Sequence, residues 1–195
     1  MTAAFTLTGS AKAAPRRVGI RLPLWRTLAA IGLAVAAWAG IRDWSDSHAF
    51  MINATDSLPN WAFFVEKRVL PVRGQYVFFR VPETPLVVAH FGANTKPFGK
   101  LVFGMPGDVV ARHEELVSRG RFDEVEQWVS VNGVRVAPLK PFSKRGEPLT
   151  AGPTGVVPKG CYFVATPHVD GFDSRYADIG WVCAKQIVGT GTPVL

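Results

Sequence analysis

Residues 24–41 read Leu-Trp-Arg-Thr-Leu-Ala-Ala-Ile-Gly-Leu-Ala-Val-Ala-Ala-Trp-Ala-Gly-Ile, mostly apolar with a single charge near the start. A run of this kind is near the short limit of the ~17–25 residues that carry a helix across a bilayer. Arg26 can snorkel outward from its beginning, and Trp25 and Trp38 suit the two interfaces. Lys12, Arg16, Arg17, Arg21 and Arg26 come first, with no acid among residues 1–26, and Asp43 and Asp46 follow. The positive-inside rule then keeps the N-terminus in the cytoplasm and puts everything after residue 42 outside. The chain divides on this reading into a basic cytoplasmic tail (1–23), a transmembrane anchor (24–41) and an extracytoplasmic domain (42–195).

Two other readings of the run compete. It can be a cleaved signal peptide with a long basic n-region, Ala36, Ala37 and Ala39 offering small residues for cleavage. It can also be a buried core helix. The flanking charge and the interfacial Trp residues favour the retained anchor.

A net charge of +7 first suggests nucleic acid or anionic lipid as a partner. Its distribution excludes the former. Beyond residue 26 the chain holds 17 basic residues against 15 acidic ones, so the excess belongs largely to the tail. No DNA-binding helix pair is legible, and the partner implied is the cytoplasmic membrane, not nucleic acid.

From residue 51 the texture changes to short apolar runs cut by Gly and Pro. Strands are expected over residues 61–65, 75–81, 86–91, 101–103, 109–111, 128–131, 134–136, 161–165 and 179–183. Asn132-Gly133 between Val131 and Val134 is the strongest hairpin signal. The charged stretch 114–127 reads equally as a short helix or a solvated loop. Residues 138–158 hold five prolines and read as loop. The fold expected is mostly β, a coiled, barrel-like system of antiparallel sheets behind one N-terminal transmembrane helix, with loops bearing the chemistry.

Cys161 and Cys183 are the only cysteines, and the four histidines lack a metal-ligand spacing. No metal or other cofactor is expected. The cysteines can pair in an oxidising compartment or stay as two buried thiols; the sequence does not supply the Cα separation that decides it.

A serine hydroxyl needs a base to become a nucleophile. No Gly-x-Ser-x-Gly elbow is present, and His48, His90, His113 and His168 lie in ordinary settings. A lysine can serve if it is neutral. Its reference pKa of ~10.4 must then fall by about 3 units, which burial among apolar side chains achieves. Lys100 stands between Phe98 and Leu101-Val102-Phe103-Gly104-Met105, and Ser57 lies in Asn53-Ala54-Thr55-Asp56-Ser57-Leu58-Pro59, shortly after the anchor.

Three stretches together resemble the boxes of type I signal peptidases, membrane-anchored proteases with a Ser–Lys dyad. The first is Ser57-Leu58-Pro59. Its form, Asn53-x-Thr55-x-Ser57-x-Pro59, is closer to the conjugative-transfer branch, the TraF-type peptidases, than to housekeeping leader peptidases. The second is Gly104-Met105-Pro106-Gly107-Asp108, with Lys100 six residues before the proline. The third is Asp173-Ser174-Arg175-Tyr176. The resemblance spans residues 53–176.

The resemblance implies that Ser57 attacks the scissile carbonyl and that Lys100 takes its proton. The Ser57 N–H and the Thr55 hydroxyl would form the oxyanion hole, and Asp173 and Arg175 an ion pair supporting the lysine's strand. Asp108, with Pro106 and Gly107, would shape the turn behind it. The position four residues before the box arginine, where leader peptidases carry a serine that bonds the lysine, is Gly171 here. Another hydroxyl, a water or Asp170 is left to do that work. The implied activity is a serine endopeptidase in the bacterial inner membrane, its catalytic domain periplasmic. Its substrates would be precursors of pilin or other conjugative-transfer proteins, with small residues before the cleaved bond. The alternative is a non-catalytic membrane-anchored β-domain, a structural part of a pilus or secretion assembly.

Overall fold

A computed structural model describes residues 23–53, 57–119 and 122–194. The basic tail, Pro23 apart, and Thr55 of the first box lie outside the described residues. The chain forms two compact units, one ending at Ile41 and one running Arg42–Leu195.

The first unit is dominated by helix α1 (Leu24–Ser47), whose last residues belong to the second unit. None of its residues is buried, which removes the core-helix reading. It is long and apolar enough to cross a membrane. The helix outlasts the apolar run by six residues because nothing in 42–47 breaks it; Gly and Pro are absent there.

The second unit is built from two antiparallel sheets. The larger has the order β1 (His48–Ile52), β2 (Ala62–Lys67), β11 (Ile187–Pro193), β3 (Tyr76–Phe79), β4 (Phe98–Gly104), β9 (Cys161–Ala165), β10 (Val182–Cys183). The smaller has the order β7 (Val134–Leu139), β6 (Phe122–Val131), β5 (Val109–Arg119), β8 (Gly155–Val156). Neither sheet closes, which corrects the barrel-like expectation. A barrel needs its edge strands to pair with each other, whereas β1 and the two-residue β10 end opposite sides of the order.

Strand β9 is the hinge of the packing. Cys161-Tyr162-Phe163-Val164-Ala165 is apolar throughout, and all five residues are buried. A strand with both faces covered reads this way, without alternation. Phe163 and Ala165 join Val110, Val129, Val131, Leu139, Val157 and Tyr176 between the two sheets. Tyr162 and Val164 join Val77, Phe79, Val102, Ile179 and Val182 on the other face. A third cluster, Leu58, Phe63, Val65 and Phe78, anchors the first box.

Asn132 and Gly133 turn between β6 and β7 with φ of 50° and 80°, the left-handed pair that a two-residue hairpin requires. Elsewhere tertiary pairing overrode local signals. The described residues of the charged stretch, 114–119 and 122–127, are neither helix nor loop: they belong to the long β5–β6 arm, Leu116 opposite Val125 and Glu114 bonded to Gln127. Residues 86–91 are not a strand but lie in helix α2 (Pro85–Phe91), capped by the Thr84 hydroxyl on the Val87 N–H. Its short apolar run could not be told from a strand by period; Thr84-Pro85 was the helix-start signal.

Strands β1 and β11 were not legible at all. Strand β11 is rich in glycine, and its glycines have a steric reason. A Cβ at Gly189 would stand 2.1 Å from the Glu66 carbonyl oxygen, and one at Gly191 would stand 2.5 Å from Phe78 Cε2. Glycine in a strand here marks close approach of neighbours. Trp44, after the apolar run, packs on His48, Phe50 and Phe64. Of the aromatics near the first box, Phe63 is core, while Phe50 and Trp61 are exposed.

Candidate active site

Lys100 lies near the start of β4, opposite Val77 of β3. Side chains on a strand alternate, so Lys100 shares a face with Val77 and Val102, in the cluster that also holds Val164. It is 4% exposed. Burial pushes its amine well below the ordinary lysine value; Asp173 pulls the other way and Arg175 adds to the lowering. Among the described residues nothing hydrogen-bonds its Nζ, and the Phe98 ring centroid is 6.0 Å away.

The first box is held against the same strand. Asn53 staples the loop: its N–H donates to Trp61 O at 2.8 Å, and its amide Nδ2 donates to Leu58 O and Asn60 O, each at 3.2 Å. The Tyr76 hydroxyl donates to Asn60 Oδ1 at 3.2 Å. Leu58 is buried, and a Cβ on Gly99 would stand 3.3 Å from its Cδ1. Ser57, half-buried, is thus next to a side chain that any Cβ on Gly99, the residue before Lys100, would press against. Leu58 lies on the Phe78–Gly99 face of the sheet, and the lysine side chain leaves from the opposite one. Ser57 and Lys100 are not hydrogen-bonded in this structure, and serine–base bonds are often loose without substrate.

The third box is buried beside Lys100. Arg175 donates from Nε to Asp173 Oδ1 and from Nη2 to Asp173 Oδ2, both at 2.8 Å, with neither side chain exposed. Further bonds run to Pro138 O, Gly171 O and His168 O. Ser174 pairs with β9 through both its N–H and its hydroxyl, to Val164 O and from Val164 N. The Asp173–Arg175 pair is therefore an internal brace joining β9, the end of β7 and the 168–171 loop, not a surface pair. Burial disfavours the Arg175 charge, and Asp173 more than offsets it, so the guanidinium is held above its usual range.

Residues 105–108 make the turn after β4. Asp108 N donates to Met105 O at 3.0 Å, Pro106 takes the second position, and Gly107 takes the third at φ 92°, where a side chain would be strained. The Asp108 carboxylate is desolvated, but the Met105 N–H, the Asn132 amide and Arg73 outweigh that and hold it below the usual range. Asp108 ties this turn to the β6–β7 hairpin; it does not reach Lys100.

Set against known families, residues 24–195 match the one described as Signal peptidase, peptidase S26. The chain belongs to this family. It is accordingly a serine endopeptidase of the kind that cleaves signal peptides from precursor proteins, and the non-catalytic scaffold falls away. The family and the apolar N-terminal helix together suggest anchoring in a membrane. No curated protein matches the chain.

In this signal peptidase the hollow at Gly171 is already filled. A Cβ there would stand 2.2 Å from Arg175 Nη2 and 2.3 Å from Thr166 Oγ1. Asp170 is no partner for Lys100, since its carboxylate takes Lys140 at 2.6 Å and Lys144 at 3.0 Å. A separate cavity of about 260 Å³ opens between α2, the 140–149 loop and Phe172; neither Ser57 nor Lys100 lines it. The sequence carried no signal for Thr166, which follows an all-apolar strand and shows its importance only through its neighbours in space.

Proposed function

We propose that Ser57 is the nucleophile and Lys100 its general base. The burial of Lys100 carries this reading. A lysine taken out of water among Val77, Val102 and Phe98 favours the neutral amine, the form that can accept a proton. The Ser57 Oγ–H bond breaks as Oγ adds to the scissile carbonyl, and its proton passes to Lys100 Nζ. The resulting ammonium returns a proton to the leaving amine, giving an acyl-enzyme that water resolves by the reverse sequence. The Ser57 N–H and the Thr55 hydroxyl serve as oxyanion donors, each worth ~10²–10³ in rate. The Asp173–Arg175 brace supports the lysine's strand through its neighbour β9, and Asp108 fixes the turn that ends the lysine's strand.

The finer substrate reading rests on the form of the first box. Asn53-x-Thr55-x-Ser57-x-Pro59 favours the conjugative-transfer branch, with pilin or another transfer protein as precursor and a small residue such as Ala before the cleaved bond. The enzyme then sits in the inner membrane by residues 24–41, N-terminus inside, with residues 42–195 in the periplasm. The Cys161–Cys183 disulfide supports an oxidising compartment, and exposed Phe50, Ile52 and Trp61 suit a bilayer surface. The amine of the same substrate chain, in place of water, would give a cyclic product from the same acyl-enzyme.

The test is processing of a pilin precursor in membranes by the wild type, Ser57→Ala and Lys100→Ala, at matched expression. Loss of processing in both folded variants is expected, and the product mass separates hydrolysis from cyclisation. Normal processing by Ser57→Ala would sink the dyad.

A further inference from the structure

The β4–β9 ladder pairs Leu101 with Ala165 and Val102 with Val164. Continued by one residue, it sets Thr166 opposite Lys100. Directly opposed residues of an antiparallel pair face the same way, with Cβ atoms ~4.5–5.5 Å apart. Thr166 is fully buried, and its N–H donates to Asp173 Oδ2 at 3.1 Å. Its hydroxyl is buried with no hydrogen-bond partner among the described residues. A buried hydroxyl left without a partner costs roughly 1–3 kcal/mol, so its retention in a packed interior calls for a reason. Gly171 supplies a second sign of the same thing: the hydroxyl occupies space that any Cβ at 171 would take.

We infer that Thr166 is a positioning residue for the lysine: in the substrate-loaded site its Oγ accepts an N–H from Lys100 Nζ. A neutral amine has two N–H donors and one lone pair. Holding one N–H against the ladder partner turns the lone pair toward the serine side, where the proton must arrive. Asp173 fixes the Thr166 backbone and Arg175 fixes Asp173, so the brace reaches the base through this hydroxyl as well as through its own charges. The inference rests on the Ser57–Lys100 reading above.

The full-length chain is assayed in phosphatidylethanolamine–phosphatidylglycerol vesicles on a synthetic precursor peptide with Ala before the scissile bond. Thr166→Val keeps the shape and removes the acceptor; Thr166→Ser keeps the acceptor; Thr166→Cys replaces it with a weak one. For Thr166→Val and Thr166→Cys, kcat falls about 10–100-fold with KM within about twofold, while Thr166→Ser stays within about threefold of the wild type. The charged groups acting on Lys100 are Asp173 and Arg175, and both remain. Loss of an acceptor that favours the ammonium then moves the acid limb of the pH–rate profile to lower pH. Mere loosening of the packing would admit water and move that limb up. An upward move, a Thr166→Val kcat within twofold of the wild type, or equal damage in Thr166→Ser overturns the inference. Ser57→Ala and Lys100→Ala run alongside: full activity in either overturns the dyad itself, whereas two dead dyad variants beside a fully active Thr166→Val overturn the positioning role alone.

Discussion

The Asp173 carboxylate and the Arg175 guanidinium meet by two parallel bonds, Nε to Oδ1 and Nη2 to Oδ2, each at 2.8 Å and closed to solvent. Such a pair contributes little over a well-packed apolar substitute, but breaking it strands one buried charge. Asp173→Asn is expected to lose about 3–5 kcal/mol in urea unfolding, and Arg175→Lys to lose less but still to fall, since an ammonium cannot reproduce the fork. A loss under 1 kcal/mol for Asp173→Asn would contradict the brace.

Lys100 should be a liability to the fold. Below its unfolded pKa of ~10.4 the unfolded chain holds a proton that the folded chain disfavours. Stability is therefore highest above that pH and falls as the pH drops toward the lowered folded-state value. Each unit of depression costs about 1.4 kcal/mol. Lys100→Met removes the penalty: thermal melts at pH 7 are expected to show a more stable protein with no peptidase activity. Lower stability in the variant would mean that the amine is better solvated than its 4% exposure indicates.

The same shift governs the rate. With Lys100 as the proposed general base the neutral amine is the working form, so kcat/KM should rise with pH through an acid limb below the ordinary lysine value, because burial lowers Lys100. Asp173 opposes that lowering, so in Asp173→Asn protein that still folds the limb should move further down. A pH–rate series on both proteins checks the sign.

Gly171 is held to glycine by contact, not by backbone angle. Gly171→Ala drives a methyl toward Arg175 Nη2 and Thr166 Oγ1 and should cost about 1–3 kcal/mol as overpacking. In a double-mutant cycle with Thr166→Ala the two changes should couple by 0.5 kcal/mol or more; simple additivity would argue that the hydroxyl does not fill the hollow.

Cys161 and Cys183 face each other across β9 and β10 and are joined, 22 residues apart. Closing a loop of that length is worth about 3 kcal/mol in the chain-entropy account. Reductant, or Cys161→Ala with Cys183→Ala, should lower the melting temperature accordingly, read by scanning calorimetry.

Much of the framework was legible because it is local. The apolar run at 24–41 yields a helix from composition alone, Asn132-Gly133 forces a hairpin by its φ angles, and the unbroken run 161–165 announces a strand covered on both faces. The boxes around Ser57, Lys100 and Asp173 stood out as residue patterns. Strand β11 did not, because a run with two glycines signals nothing until the Glu66 carbonyl and the Phe78 ring are seen against it. The outer part of the β5–β6 arm, residues 114–118 and 123–125, is mostly exposed on both faces, so no burial pattern marks it, and α2 hid in a run too short for its period to show.

By itself the sequence determined the elements whose conformation follows from nearby residues: the N-terminal apolar helix, the hairpin at 132–133, the turn at 105–108 and most strands. Tertiary structure decided everything that depends on who lies opposite whom. It left the sheets open, joined the cysteines, buried Asp173 against Arg175, took Lys100 out of water, and set an unpartnered Thr166 hydroxyl across from it. Desolvation and cross-strand register are properties of assembled neighbours, and those are the terms that set a lysine's pKa.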